Sequence, residues 1–69
     1  MDIKKRFGLA VKERRSALGI SQEELAMRIC ADQAYVSRIE AGQMNVTLET
    51  AEQVAAAVQS DVAEMLRKV

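Results

Sequence analysis

The sequence has no proline, no histidine and no tryptophan, and only one cysteine, one tyrosine and one phenylalanine among 69 residues. Each absence closes off a class of protein. One cysteine cannot form an internal disulfide, and a chain without histidine holds no metal-ligand cluster of the usual kind. Neither a disulfide framework nor a metal or other cofactor is therefore expected. An enzyme is not expected either: the remaining nucleophile candidates are serines and Cys30, with no activating base evident beside them. No apolar run approaches the ~20 residues of a membrane span. The N-terminal stretch MDIKKRFGLAVKERR never develops the apolar core of a secretory signal. A soluble, cytoplasmic protein with no membrane partner is the expectation.

What is present favours helices. Apolar residues make up 49% of the chain and aromatics 3%, so the core must be built from Leu, Ile, Val, Met and Ala. With three glycines and no proline, little interrupts helical runs. The length allows one domain, 1–69, near the lower limit for a self-sufficient core. Dimerisation is the remaining way to bury more surface.

Ten basic and ten acidic residues give a formal net charge of zero, but they are unevenly placed. Lys4, Lys5, Arg6, Lys12, Arg14 and Arg15 face only Asp2 and Glu13 in the first twenty residues. Residues 46–69 carry Glu49, Glu52, Asp61 and Glu64 against Arg67 and Lys68. Such a polarised chain can turn a positive side to a polyanion, although the same charges can equally serve to solvate helix faces.

Periodicity and capping residues mark five helical segments. The first runs from about Ile3 to Leu18, with Ile3, Phe7, Ala10, Val11 and Leu18 on one stripe and Gly19 placed as a left-handed cap. The second is capped by Ser21, with Ser21-x-x-Glu24 as a capping box, and ends near Ile29. The third is capped by Asp32, turns Val36 and Ile39 inward and stops at Gly42. The fourth follows Thr47, with Leu48, Ala51, Val54 or Ala55, and Val58 at helical spacing. The fifth follows Asp61, a second capping box with Glu64, and presents Val62, Met65, Leu66 and Val69. Every connection is short, as in a compact all-α domain.

The second and third segments hold the sharpest information. Leu25, Ile29, Val36 and Ile39 form the apolar set of two short helices joined by a tight turn, and Ala26 is small enough to let them cross closely. This arrangement leaves Gln33, Ala34, Ser37 and Arg38 on the outer face of the third helix, with Tyr35 on its flank. Gln pairs with adenine, Arg with guanine, Ser donates or accepts, and Ala meets a thymine methyl. Such a face could read base edges in a major groove; the alternative is an ordinary solvated helix surface.

The stretch GISQEELAMRICADQAYVSRIEAG, Gly19 to Gly42, resembles the helix-turn-helix of the Cro/repressor-type (XRE-like) regulators. The matching residues are Gln22, Leu25, Ala26, Val36, Ser37, Ile39, Glu40 and Gly42. Taken upstream to Arg15 and downstream through NVTLETAEQVAAAV, the likeness covers nearly the whole chain. Tyr-Val-Ser after the Asp cap and Asn-Val-Thr before the fourth helix are similar to the restriction–modification controller proteins within that family. The resemblance implies a five-helix lambda-repressor-like fold, with helices two and three as the helix-turn-helix. It implies a homodimeric transcriptional regulator of double-stranded DNA, bound to an inverted-repeat operator with its recognition helix at about 32–41. It further implies base contacts by Gln33, Ala34, Ser37 and Arg38, and backbone contacts by Gln22, Tyr35, Gln43 and Asn45. Arg15 and Glu40 match a structural salt bridge of the family. Val62, Met65, Leu66 and Val69, on the helix at about 61–69, match the dimer interface, and they can also close the monomer core.

Some positions depart from the family pattern. Cys30 replaces the usual turn glycine, Ala31 is small for its place, and Gln59 stands where glycine is common. A left-handed Cys30 would cost about 1–2 kcal/mol. Cys30 could also be a redox sensor, but a small apolar turn residue is the simpler reading. The rival function from another class is a protein-interaction module, such as an antitoxin that holds a toxin. That rival has less need of the Gln33/Arg38 face.

Overall fold

A side-chain oxygen opens each of the five helices in the computed structural model, which describes residues 2–68. The helices are α1 (Ile3–Leu18), α2 (Gln22–Arg28), α3 (Gln33–Glu40), α4 (Leu48–Ala57) and α5 (Val62–Lys68). The backbone N–H groups of Lys5, Glu24, Tyr35, Thr50 and Glu64 donate to Asp2, Ser21, Asp32, Thr47 and Asp61 respectively, at 2.8–3.0 Å. Each bond satisfies one of the orphan donors of a first helical turn. At Asp2 the donated N–H of Lys5 also holds the carboxyl below its ordinary range.

The two expected capping boxes are only half made. The Glu24 carboxylate turns away from Ser21 to Arg28, one turn on at 3.2 Å, and Glu64 pairs with Arg67. An exposed carboxylate with an arginine three or four residues ahead has a charged partner available, which competes with the cap N–H.

Four of the helix ends close in the same way. Gly19, Cys30, Gly42 and Gln59 all have positive φ, between 58° and 76°. In each case the next residue's N–H donates back across the last turn: Ile20 to Arg15, Ala31 to Ala26, Gln43 to Arg38 and Ser60 to Ala55. The left-handed turn at Cys30 is therefore real, as is a second one without glycine at Gln59.

Phe7, Val11, Leu25, Val36, Ile39, Val54, Val58 and Met65 are buried together. α1 lies across α3 and α5, while α2 packs on α3. The crossing of α1 and α3 is tight because Gly8 has no side chain: a Cβ there would sit 2.2 Å from the Ile39 carbonyl oxygen. Gly42 is confined from the other side, where a Cβ would meet the Lys5 side chain at 2.5 Å.

Two positions on the apolar stripes lie outside the core. Leu48 is 85% exposed and Ile3 54%. Both occupy the first residue of their helix, and helical side chains lean toward the N-terminus. Spacing alone placed them inward, but at that end the side chain projects past the layer that buries Phe7 and Ala51.

Candidate nucleic-acid interface

The site is assembled on α3, whose two faces separate cleanly. Val36 and Ile39 are buried at 1% and 3% exposure, while Gln33, Ala34, Ser37 and Arg38 are all exposed. Tyr35 is half-buried and packs against the core edge. Gln43 and Asn45, in the segment that joins α3 to α4, are exposed; Gln22, the first residue of α2, is half-buried. The sequence-predicted DNA-facing residues thus occupy one helix face and the two segments that border it.

The orientation of α3 is set by a chain of polar side chains. Arg15 of α1 grips the Glu40 carboxylate with two bonds, Nε to Oε2 at 2.7 Å and Nη2 to Oε1 at 3.0 Å, and its Nη1 donates to the Ile20 carbonyl at 2.9 Å. With the side chains only 15% and 4% exposed, the pair is largely withdrawn from water. The Glu40 carboxylate raises the Arg15 guanidinium above its ordinary value. Gln22 Nε2 donates to Glu40 Oε1 at 3.0 Å, and Gln22 Oε1 accepts from Gln33 Nε2 at 3.2 Å. A continuous path therefore runs from α1 through Glu40 and Gln22 to a side chain on the outward face of α3. The Arg15–Glu40 pair came from the family resemblance; its extension through Gln22 did not, because nothing local marks a glutamine whose two ends face different helices.

The arginines of α1 face inward rather than toward a ligand. Arg6 donates to the Leu66 carbonyl at 2.8 Å, and Arg14 to the carbonyls of Val58 and Gln59 at 3.1–3.2 Å. Arg28 adds a bond to the Ala57 carbonyl at 3.1 Å, so α4, with no basic residue in its own last turn, has its end capped by arginines of α1 and α2. Lys4, Lys5, Lys12 and Arg38 are exposed and form no ion pair among the described residues. The positive charge open to a polyanion therefore consists of a few residues spread over α1 and α3, not the whole basic third of the chain.

The α5 residues divide. Met65 is 2% exposed and completes the subunit's own core, while Val62 and Leu66 are half-buried at its margin. Met65 thus offers no free surface, and Val69 lies outside the described residues. Among the described residues no group of His, Cys, Asp or Glu is arranged to hold a metal ion, and no helix is long and apolar enough to cross a membrane.

Two short helices at a fixed angle, with an outward Gln–Ala–Ser–Arg face and a left-handed turn between them, define the helix-turn-helix class of DNA-binding domain. A family model described as "Helix-turn-helix" matches residues 11–65. The control protein C.MunI of Mycoplasma sp is 36% identical over 69 residues, covering 99% of this chain and 93% of that protein. The restriction–modification controller protein C.AhdI of Aeromonas hydrophila superposes with a TM-score of 0.80 at 38% identity, over 88% of each chain. The controller protein C.Esp1396I, solved as a tetramer on its natural 35 base-pair operator, shares the fold at a TM-score of 0.85 and 22% identity, over 99% of this chain and 90% of that one. The chain belongs to the helix-turn-helix family of XRE type, a family of DNA-binding regulators.

Proposed function

We propose that the protein is a sequence-specific transcriptional regulator of the controller type, which binds an inverted-repeat operator as a homodimer. The observation that carries this reading is the α3 face. Four residues suited to base edges stand exposed on a helix that is clamped by the Arg15–Glu40 pair. Gln33, Ala34, Ser37 and Arg38 would enter the major groove, with Arg38 the strongest discriminator through guanine. Gln22 would use its second amide hydrogen on a phosphate, since Nε2 carries two and only one goes to Glu40. Tyr35, Gln43 and Asn45 would contact the flanking backbone.

Size supports two copies. The longest dimension of the subunit is 26 Å, whereas successive major-groove half-sites on one side of the duplex lie about 34 Å apart. One chain can engage only one half-site. Among the described residues of the expected α5 interface, Val62 and Leu66 retain some surface for a partner, and the operator-bound tetramer of C.Esp1396I supports assembly on DNA.

Selection of bound duplexes from a random pool would give the operator. Against it, Arg38→Ala and Gln33→Ala should each lose roughly 5- to 150-fold in affinity, with little loss on random DNA. If both variants hold the selected operator as tightly as the wild type, α3 is not the reading element.

A further inference from the structure

Leu48, the most exposed large apolar side chain among the described residues, does not stand alone. It borders a groove of about 110 Å³ shared with Ile3 and Met44, floored by Phe7, Ile39 and Ala51. Asn45 lines the same groove, so this apolar patch lies immediately beside the proposed phosphate contacts. Scattered exposed leucines are ordinary, but two helix-first apolar residues that meet across one groove form a patch. It is continuous with α5: one turn beyond Ile3, Arg6 is bonded to the Leu66 carbonyl.

The rim of the patch carries both signs. Lys4 of α1 lines the groove with Lys5 next to it in sequence; on α4, Glu49 directly follows Leu48 and Glu52 comes one helical turn after it. All four are exposed and make no ion pair among the described residues. A two-fold contact must be self-complementary, because each residue that meets its counterpart does so twice. An apolar centre with a basic and an acidic edge satisfies that condition, whereas an acidic or basic partner would complement only half of it.

We infer that a second copy of this chain docks on the Ile3–Met44–Leu48 patch, Leu48 packing against its counterpart and Lys4 and Lys5 facing the partner's Glu49 and Glu52. The inference rests on the homodimer reading above and assigns its face. It brings the α3–α4 segments of the two subunits together at the two-fold axis, so that the spacing of the recognition helices is set beside the DNA and not at a remote tail. α5 then flanks the contact through Leu66.

Sedimentation of the full chain without DNA tests this. The wild type should dimerise, and Leu48→Glu should weaken the dimer by at least about tenfold, as for loss of a central interface anchor. Leu48 is exposed, so helicity by circular dichroism should be retained. Lys4→Glu with Lys5→Glu, or Glu49→Lys with Glu52→Lys, should weaken the dimer about 2- to 5-fold each. All four reversals in one chain should restore it. A dimer unaffected by Leu48→Glu overturns this face while leaving the homodimer standing. A wild type that stays monomeric at every concentration overturns both, and half-site binding by the monomer would still report on α3.

Discussion

Arg15 and Glu40 sit 25 residues apart in sequence and are joined by two parallel hydrogen bonds in a site almost closed to water. The pair bridges α1 and the last residue of α3, where Gly8 lets the two helices touch. One carboxylate thus takes up the guanidinium on one side and the Gln22 amide on the other. Removal of Arg15 leaves a withdrawn carboxylate with Gln22 as its remaining side-chain partner. Arg15→Ala should therefore cost about 3 kcal/mol in urea unfolding, whereas Arg15→Met combined with Glu40→Leu should cost distinctly less. A double variant as unstable as the single one would mean that the pair stabilises through its charges, not through the avoidance of an orphan.

Gly8 reverses the usual rule for glycine in a helix. Inside an ordinary helix, Gly→Ala stabilises by about 1 kcal/mol. Here the added Cβ would lie 2.2 Å from the Ile39 carbonyl oxygen and 2.9 Å from that of Glu40. Both are backbone atoms of the last turn of α3, so neither can swing aside. Gly8→Ala should lower thermal stability by about 2 kcal/mol and weaken operator binding beyond the unfolded fraction, because α3 must shift. An unchanged or raised melting temperature would show that the two helices can separate freely.

The turn at Cys30 carries a different kind of strain. The residue is exposed and left-handed, with φ of 58°, so its side chain contributes little packing to offset the backbone cost. Cys30→Gly should stabilise by roughly 0.5–1 kcal/mol, the left-handed penalty less the extra entropy of glycine in the unfolded chain. Cys30→Val should destabilise by about 1 kcal/mol or more, since β-branched residues tolerate positive φ worst. Paired thermal melts of the three chains check the order Gly, Cys, Val.

These residues also show where sequence reasoning succeeds and where it stops. Ser21, Asp32, Thr47 and Asp61 were legible as caps because an N-cap bond spans only three residues. The α3 face was legible because Val36 and Ile39 fix which side is inside. Arg15–Glu40 was recognisable only through the family resemblance, since its partners come from separate helices. Leu48 shares the apolar spacing of α4 yet lies outside the core: helical spacing says which face a residue shares, not how far along the helix the core extends. Gly8 went unremarked because close helix crossing is a tertiary property. Arg6 and Arg14 count as surface charge in the sequence, although their acceptors are carbonyls 44 to 60 residues away.

Gln22 offers the most discriminating experiment on the site. Were it only a phosphate contact, Gln22→Ala would weaken binding to operator and random DNA alike, and its effect would add to that of Gln33→Ala. The structure ties it to the α3 face instead, because its Oε1 holds the Gln33 amide at 3.2 Å while Glu40 holds its own nitrogen. Gln33 is exposed, and without that bond it would pay more side-chain entropy when it meets a base. Gln22→Ala should therefore lower the ratio of operator to random affinity as well as the absolute affinity. In a double-mutant cycle on the operator, the joint loss should fall short of the sum by about 0.5–1 kcal/mol, near the net worth of one hydrogen bond. Strict additivity, with the affinity ratio unchanged, would confine Gln22 to the phosphate and leave Gln33 positioned by α3 alone.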